Sequence, residues 1–149
     1  MTNCDNAPLP IPEKVDRLLR QVVAWAAEAG EVRAVVLVGS YARGQAGDDS
    51  DVDLVLLVDD PGRLTEDDRW PARFGPVERL RTELWGKVYA IRVWYADRPE
   101  VEFALAPADW ARLPLDPGTA RVLRDGFRSL YDPQHLLAQI SARSLTGLV

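Results

Sequence analysis

The apolar positions along the chain predict one helix followed by two buried strands. From Glu13 to Ala29, apolar side chains recur at the spacing of one helical face, and Gly30 follows as a stop signal. The valine-rich run from Val32 to Val38 indicates a strand buried on both faces. Asp51 to Val58 predicts a second strand. The segment between these strands, Gly39 to Ser50, holds three glycines and must contain turns.

The pattern further along the chain predicts a loop, a short helix and a pair of strands. Pro61 to Gly75 is polar and interrupted by Pro and Gly, so it indicates a loop with room for one helical turn. Pro76 to Leu84 begins with Pro, a residue suited to a helix N-terminus, and predicts a short helix. Lys87 to Tyr95 and Glu100 to Leu105 predict two strands. Their short link makes them an antiparallel hairpin.

This order of elements predicts an α+β fold, in which a mixed β-sheet is flanked by helices. Residues 1–12 are expected to form a flexible N-terminal arm, because they are rich in Pro and Asn. Residues 13–149 are expected to form a single domain, a size at which one chain can bury a sizeable core. It ends in a short helical tail, whose last helix is predicted at Gln134 to Ile140.

The charge and cysteine content of the chain limit the partners and the cellular compartment that can be expected. The formal net charge of -5 argues against duplex nucleic acid as the main partner, since phosphate binding draws on clustered Lys and Arg. The single cysteine, Cys4, excludes a disulfide within the chain and suits a reducing compartment. No signal peptide is visible, and no apolar run approaches the roughly 20 residues that cross a bilayer. The expected location is the cytoplasm.

Two aspartates stand out at the start of the second predicted strand. Side chains alternate along a strand, so Asp51 and Asp53 lie on one face, about 7 Å apart at the backbone. Like charges on one face repel, and aspartate is disfavoured in strands. A cation that neutralises both would explain the pair, and converging carboxylates suit Mg²⁺. Asp48 and Asp49, by contrast, fit a turn before the strand.

A glycine-containing turn precedes these aspartates. Gly39-Ser40 closes the first strand and opens toward a predicted helical turn at Tyr41 to Arg43. Backbone N–H groups at such a junction can bind phosphate oxygens. A Walker-type phosphate loop is excluded, because Gly44 is followed by Gln45 rather than by Lys. The turn becomes informative only in combination with the aspartates.

Together these segments resemble a known family. Gly39-Ser40, Ala42-Arg43-Gly44 and Ser50-Asp51-Val52-Asp53-Leu54 are similar to the DNA polymerase β-type nucleotidyltransferase superfamily, and most of all to its small bacterial members, the minimal nucleotidyltransferases and the aminoglycoside adenylyltransferase-like proteins. The resemblance is strongest over Val35 to Val58 and extends to about Leu105. It implies that Asp51 and Asp53 bind two Mg²⁺ ions, with Mn²⁺ as an alternative. It also implies that Gly39 and Ser40 contact the phosphates of a nucleoside triphosphate, for which the family favours ATP.

The resemblance also implies a third carboxylate on a later strand. Glu102 lies between the apolar residues Val101 and Phe103, which commits it to the strand and makes it the leading candidate as third metal ligand. Glu100 is the reserve candidate, expected to be a solvated strand-end residue. The family commonly has aspartate here, so glutamate is a departure. Arg43 fits either a role in steadying the triphosphate or a plain surface arginine.

The implied reaction transfers a nucleoside monophosphate, with AMP expected, from the triphosphate to an acceptor hydroxyl, and it releases pyrophosphate by a two-metal mechanism. Two acceptors stay open: a protein, as for minimal members paired with a HEPN-type toxin, and a small molecule such as an aminoglycoside. The short tail favours the protein. A non-catalytic module of the same fold, such as an antitoxin that acts by binding, is the third hypothesis. A homodimer is also left open.

Other conspicuous residues are expected to be structural. The five tryptophans are assigned to packing, with Trp70 as the one expected to be exposed because it lies in the irregular loop. Arg121, Arg124 and Arg128 are spaced as one polar helical face and are expected to be solvated.

Overall fold

The computed structural model describes residues 11–47, 50–97, 100–112, 115–138 and 140. Four helices, two 3-10 turns and six strands make up these ranges. In chain order they are α1 (Glu13–Ala29), β1 (Val32–Val38), α2 (Gly39–Arg43), β2 (Val52–Val58), α3 (Pro61–Glu66), a 3-10 turn (Trp70–Phe74), β3 (Val77–Trp85), β4 (Val88–Tyr95), β5 (Val101–Pro107), a second 3-10 turn (Ala108–Ala111), α4 (Pro117–Arg124) and β6 (Phe127–Tyr131).

The six strands form one mixed sheet in the order β3-β4-β5-β2-β1-β6. Only β2 and β5 run parallel; the other neighbouring pairs are antiparallel. The predicted α+β class with helices flanking a mixed sheet is therefore confirmed, as is the antiparallel pairing of β4 with β5. β2 has a long and nearly unbroken apolar sequence, which suits its central position with both faces packed.

One face of the sheet is covered by α1 and the segment after β2, except over the edge strand β3. Val15, Leu18 and Val22 of α1 are buried against this face. Trp70 is 7% exposed and stacks on Trp25 with 4.9 Å between ring centroids, so its expected exposure was wrong. Its indole N–H donates to the Leu64 carbonyl at 2.9 Å, which satisfies the polar end of a buried ring.

The other face is covered only over β1 and β2. Small and branched residues of these strands pack against Leu115, Ala120 and Leu123 from the α4 region. Toward β5, β4 and β3 this face is open, and it carries the charged side chains described below. No helix within the described ranges is both long and apolar enough to cross a membrane.

The segment predicted as a helix at Pro76 to Leu84 is strand β3. Its residues alternate between the two faces of the sheet, and the Gly86-Lys87 turn joins it to β4. Gly86 has φ +62°, the conformation that two-residue hairpin turns favour. The strand conformation of this segment is stabilised by hydrogen bonding to β4, and this tertiary pairing overrides the local preference of Pro76 for a helix N-terminus.

The end of the chain also differs from the prediction. β6 pairs with β1, where only helical pieces were expected. Residues 134–138 and 140 are turns, bends or irregular backbone, not the helix predicted at Gln134 to Ile140. His135 has φ 55°, which a right-handed helix cannot contain, and the Asp132 carboxylate accepts from the N–H groups of Leu136 and Leu137. Of the predicted arm, residues 1–10 lie outside the described ranges, and Ile11 packs against the core.

Candidate active site

One row of cross-strand partners brings the predicted acids together. Asp53 on β2 lies between Val38 on β1 and Glu102 on the parallel strand β5. The row continues to Arg92 on β4 and Arg81 on β3. Partners in register point to the same face, here the open one. The sheet therefore sets Asp53 and Glu102 side by side, and Asp51 immediately precedes β2.

The glycine turn at Gly39 lies next to Asp53. Gly39 follows β1 with φ +76°, and a Cβ at this position would overlap the Asp53 carboxylate, whose Cγ would lie at 3.2 Å. Glycine is thus required both for the backbone conformation and for the close approach. Ser40 is half-buried in the first turn of α2, and its carbonyl accepts from Gln45 N–H at 2.9 Å. The predicted turn and the predicted acids are adjacent in space.

Arg92 neutralises part of this acidic group, and sequence reasoning missed it. Its guanidinium donates to Asp51 at 3.2 Å and also to Glu100 and Glu102. The side chain is 24% exposed. The signal was available: Arg92 stands between Ile91 and Val93 in an apolar strand, the same context that singled out Asp53 and Glu102.

The electrostatic balance at Asp53 stays unfavourable for its charged form. Burial, then the negative charges of Glu102 and Asp51, raise the pKa of Asp53 to about 6, although Arg92 and Arg43 oppose this. A pKa raised by neighbouring acids indicates surplus negative charge. Carboxylates that share one face are the oxygen donors that Mg²⁺ prefers, and a cation would relieve this surplus.

The described carboxylates are not arranged as a finished metal centre. Among the described residues, no group of three or more His, Cys, Asp or Glu side chains is placed to hold a metal ion. Arg92 lies between the acids instead, as a positive group in contact with Asp51 and Glu102. The donor chemistry of the carboxylates fits a hard cation, and Arg92 is a second positive group that balances their charge.

Glu100 and Glu102 differ in position. Glu102 lies in β5 in register with Asp53, whereas Glu100 precedes the strand and its carbonyl accepts from Val52 N–H at 2.9 Å. Glu100 is not the solvated end residue that was expected, because its side chain is 26% exposed and paired with Arg92. The register nevertheless places Glu102, not Glu100, beside Asp53.

Comparison with known proteins agrees with this arrangement. A family model described as a nucleotidyltransferase domain matches residues 17–97, which is more than half of the chain and includes the glycine turn and both aspartates. The chain belongs to the nucleotidyltransferase domain family. No curated protein matches its sequence.

A solved structure shows the same fold. The chain is similar to an aminoglycoside 6-adenyltransferase from Bacillus subtilis, with a TM-score of 0.53 and 17% sequence identity. The similarity covers 68% of this chain and 37% of that one, so the chain matches little more than a third of that enzyme's length.

A cleft of about 760 Å³ opens in front of Asp53 and Glu102. Asp53, Glu102 and Gly39 line it, together with Trp85 and Lys87 at the tip of the β3–β4 hairpin. The segment from the second 3-10 turn to α4 supplies further lining residues: Asp109, Trp110, Asp116 and Asp125. Arg43 and Arg112 also line the cleft, so it carries five carboxylates, three cationic side chains and two large aromatic rings.

The arginines considered in the sequence differ in where they lie and what they contact. Arg43 lines the cleft, and its Nε donates to the Gln45 side chain at 3.2 Å. Arg128 lies in β6 rather than on a helix, and it donates to the carbonyls of Tyr41 and Ala42 at 3.1 and 3.3 Å. The expectation that Arg128 is merely solvated was therefore wrong. Arg121 and Arg124 are exposed on α4, as expected.

Proposed function

We propose that this protein transfers a nucleoside monophosphate, AMP from ATP, to an acceptor hydroxyl in a Mg²⁺-dependent reaction. The observation that carries the proposal is the register of the sheet. It pairs Asp53 with Glu102, and the Gly39 turn abuts Asp53 from the other side, in a chain of the nucleotidyltransferase family. The structural similarity to an adenyltransferase supports the choice of AMP.

Asp51, Asp53 and Glu102 are the residues that would hold the divalent cations, with Mn²⁺ as an alternative to Mg²⁺. Bound divalent cations supply charge neutralisation of the triphosphate and polarisation of the attacking hydroxyl. For Asp51 and Glu102 to act as ligands, their ion pairs with Arg92 must open. Arg92 also keeps its pair with Glu100, which offers the guanidinium a partner that is not a proposed ligand.

The reaction breaks a phosphoanhydride bond of the triphosphate and forms a phosphoester bond to the acceptor. The acceptor oxygen forms a bond to the α-phosphorus, and the bond from that phosphorus to the pyrophosphate oxygen breaks. The hydroxyl proton passes to a carboxylate, for which Glu102, a residue that lines the cleft, is the proposed base. Gly39, Ser40 and Arg43 are proposed to contact the phosphates, since Gly39 abuts the Asp53 carboxylate, Arg43 lines the same cleft, and Ser40 follows Gly39 in the first turn of α2.

Two acceptors are proposed. A protein hydroxyl, such as one on a HEPN-type toxin, fits an open cleft whose rim is exposed. A cationic small molecule of the aminoglycoside type is favoured by a specific observation: Asp109, Asp125 and the aromatic Trp85 line the same cleft as the acids. Carboxylates and flat apolar rings are suited to an amino sugar, which has ammonium groups and apolar ring faces. Transfer of labelled AMP to purified protein or to aminoglycosides distinguishes the two.

Calorimetric titration with a non-hydrolysable ATP analogue, with and without Mg²⁺, tests the proposed function before any acceptor is known. We expect Mg²⁺-dependent binding to the wild type and its loss in an Asp51→Asn/Asp53→Asn variant. Asp67→Asn/Asp68→Asn, outside the site and with the same change of charge, is the matched control and should bind like the wild type.

Failure of the folded wild type to bind ATP, GTP, CTP and UTP analogues would overturn the proposal. Mg²⁺-dependent binding with no transfer to any acceptor would instead favour the alternative of a non-catalytic binding module, such as an antitoxin.

A further inference from the structure

Strand β3 is a long, exposed edge of the sheet. It ends the strand order, and its nine residues include none that is buried. Leu84 and Trp85 are 59% and 64% exposed, the largest values among the exposed large hydrophobic residues of the described chain. An edge strand with unpaired main-chain groups is a template for pairing with another strand.

The hairpin fixes which main-chain groups face outward. A two-residue turn, Gly86-Lys87, joins β3 to β4, so its closing pair Trp85–Val88 is hydrogen-bonded across the hairpin. Alternation along the strand then directs the main-chain groups of Leu84, Thr82 and Leu80 away from β4. These are the groups that a further strand would pair with.

The sequence of β3 is complementary to itself in one antiparallel register. With Thr82 opposite Thr82 of a second copy, Arg81 faces Glu83, Leu80 faces Leu84 and Arg79 faces Trp85. Moving the centre by one residue in either direction sets Arg81 opposite Arg81, or Glu83 opposite Glu83, and like charges directly opposite are destabilising. Charge complementarity thus selects the register centred on Thr82.

The faces of the sheet agree with that register. Arg79 lies over the Trp94 ring with its guanidinium carbon 4.7 Å from the centroid, so Trp85 of a second copy would pack on its other side. Arg81 is the cross-strand partner of Arg92, lies 5.8 Å from the Trp94 ring centroid and makes a 3.6 Å contact with Glu83 of its own strand. Arg92 is already paired with Asp51, Glu100 and Glu102. Glu83 of a second copy would therefore add an opposing charge at Arg81.

We propose that two copies of this chain associate through β3, antiparallel and centred on Thr82, to form one continuous sheet. The two-fold axis is perpendicular to the sheet, so both clefts open on the same side. The partner is a second copy rather than a peptide of unrelated sequence, because the apolar, charged and aromatic positions all match within one register.

Sedimentation velocity over a range of protein concentrations tests the interface with a charge swap. We expect the wild type to be a dimer and each single variant, Arg81→Glu or Glu83→Arg, to weaken it by at least about tenfold, because like charges then face each other twice. The double variant Arg81→Glu/Glu83→Arg restores the opposite pairing and should return the dissociation constant to within about threefold of the wild type. Glu28→Arg on α1 matches the charge change of Glu83→Arg and should have no effect.

These substitutions are on exposed side chains, and circular dichroism verifies that each variant is folded. A wild type that is monomeric at every concentration would overturn the proposal. So would a dimer that the single variants leave intact, since it would use another surface. A double variant that fails to restore the dimer would overturn the register and, with it, the proposal.

Discussion

Strands β2 and β3 have nearly the same length but opposite environments. β2 is hydrogen-bonded to a strand on each side, and every residue except Asp53 is buried. β3 is paired on one side only and has no buried residue. The comparison shows that one sheet supplies a rigid support for charged groups at its centre and an adaptable surface at its edge. The proposed chemistry belongs to the first strand and the proposed self-association to the second.

Core substitutions should separate the two strands most strongly. Leu56→Ala in β2 removes a fully buried side chain, and we expect it to lower the free energy of unfolding by about 2–5 kcal/mol. Leu84→Ala in β3 should lower it by less than about 1 kcal/mol in dilute protein, because Leu84 is exposed. Urea unfolding followed by tryptophan fluorescence measures both. Equal effects would contradict the proposed difference in packing.

Two glycines with positive φ allow a second comparison: Gly39 follows β1 and lies against Asp53 of β2, and Gly86 follows β3. Gly39→Ala forces a Cβ into the Asp53 carboxylate, and we expect it to cost roughly 2–4 kcal/mol of stability and to abolish nucleotide binding. Gly86→Ala, at the β3–β4 turn, has similar backbone strain but open space around the added Cβ, so it should cost about 1 kcal/mol. Thermal unfolding of both variants gives the difference. A Gly39→Ala protein as stable as Gly86→Ala would argue against the close approach of Asp53.

The pH dependence of stability tests the charge of Asp53. Its pKa is about 6 when folded, raised mainly by burial, so the folded state binds the proton more tightly than the unfolded state. Wild-type stability should therefore fall as pH rises from about 4 to 6 through this group, and the penalty is complete above that range.

Asp53→Asn removes that penalty. Without divalent cations, we expect the variant to be more stable than the wild type by about 1–2 kcal/mol at pH 7.5, discounted for partial exposure, and equal to it near pH 4. The β3 control, Glu83→Gln, should change stability by less than about 0.5 kcal/mol at both values. An Asp53→Asn protein that is less stable than the wild type at pH 7.5 would show that the carboxylate is well neutralised.

A smaller effect is expected at the turn that precedes β2. Arg128→Met removes donors to the carbonyls of Tyr41 and Ala42 and should cost about 0.5–1.5 kcal/mol. Arg124→Met, on the exposed face of α4, is the control with little expected effect. If both variants unfold at the same urea concentration, Arg128 does not support the glycine turn.

The same contrast explains what the sequence could predict. β1, β2 and β5 are buried, so their sequences are largely apolar. Asp53 and Glu102 were recognisable as site candidates because they interrupt these apolar runs. β3 has no apolar run, because neither of its faces is buried. The proline at position 76 therefore dominated the local pattern and indicated a helix N-terminus. β6 was missed for a similar reason, since its residues are at most half-buried.

Other features arise only from tertiary contacts. The pairing of Asp53 with Glu102 depends on β2 and β5 being parallel neighbours, which no local pattern contains. The burial of Trp70 depends on its stacking with Trp25, which is far away along the chain. Arg92 could have been found from the sequence, because it interrupts an apolar strand.

The most direct test of the central claim is Mn²⁺ binding measured by electron paramagnetic resonance, in the presence and absence of a non-hydrolysable ATP analogue. The site described here predicts that the analogue strengthens Mn²⁺ binding to the wild type and that Asp53→Asn abolishes this binding. Glu102→Gln should weaken it more than Glu100→Gln, because only Glu102 lies in register with Asp53. Folded wild-type protein that binds no Mn²⁺ with the nucleotide, or Asp53→Asn protein that binds it equally well, would contradict the assignment of this sheet face as a metal-dependent nucleotide site.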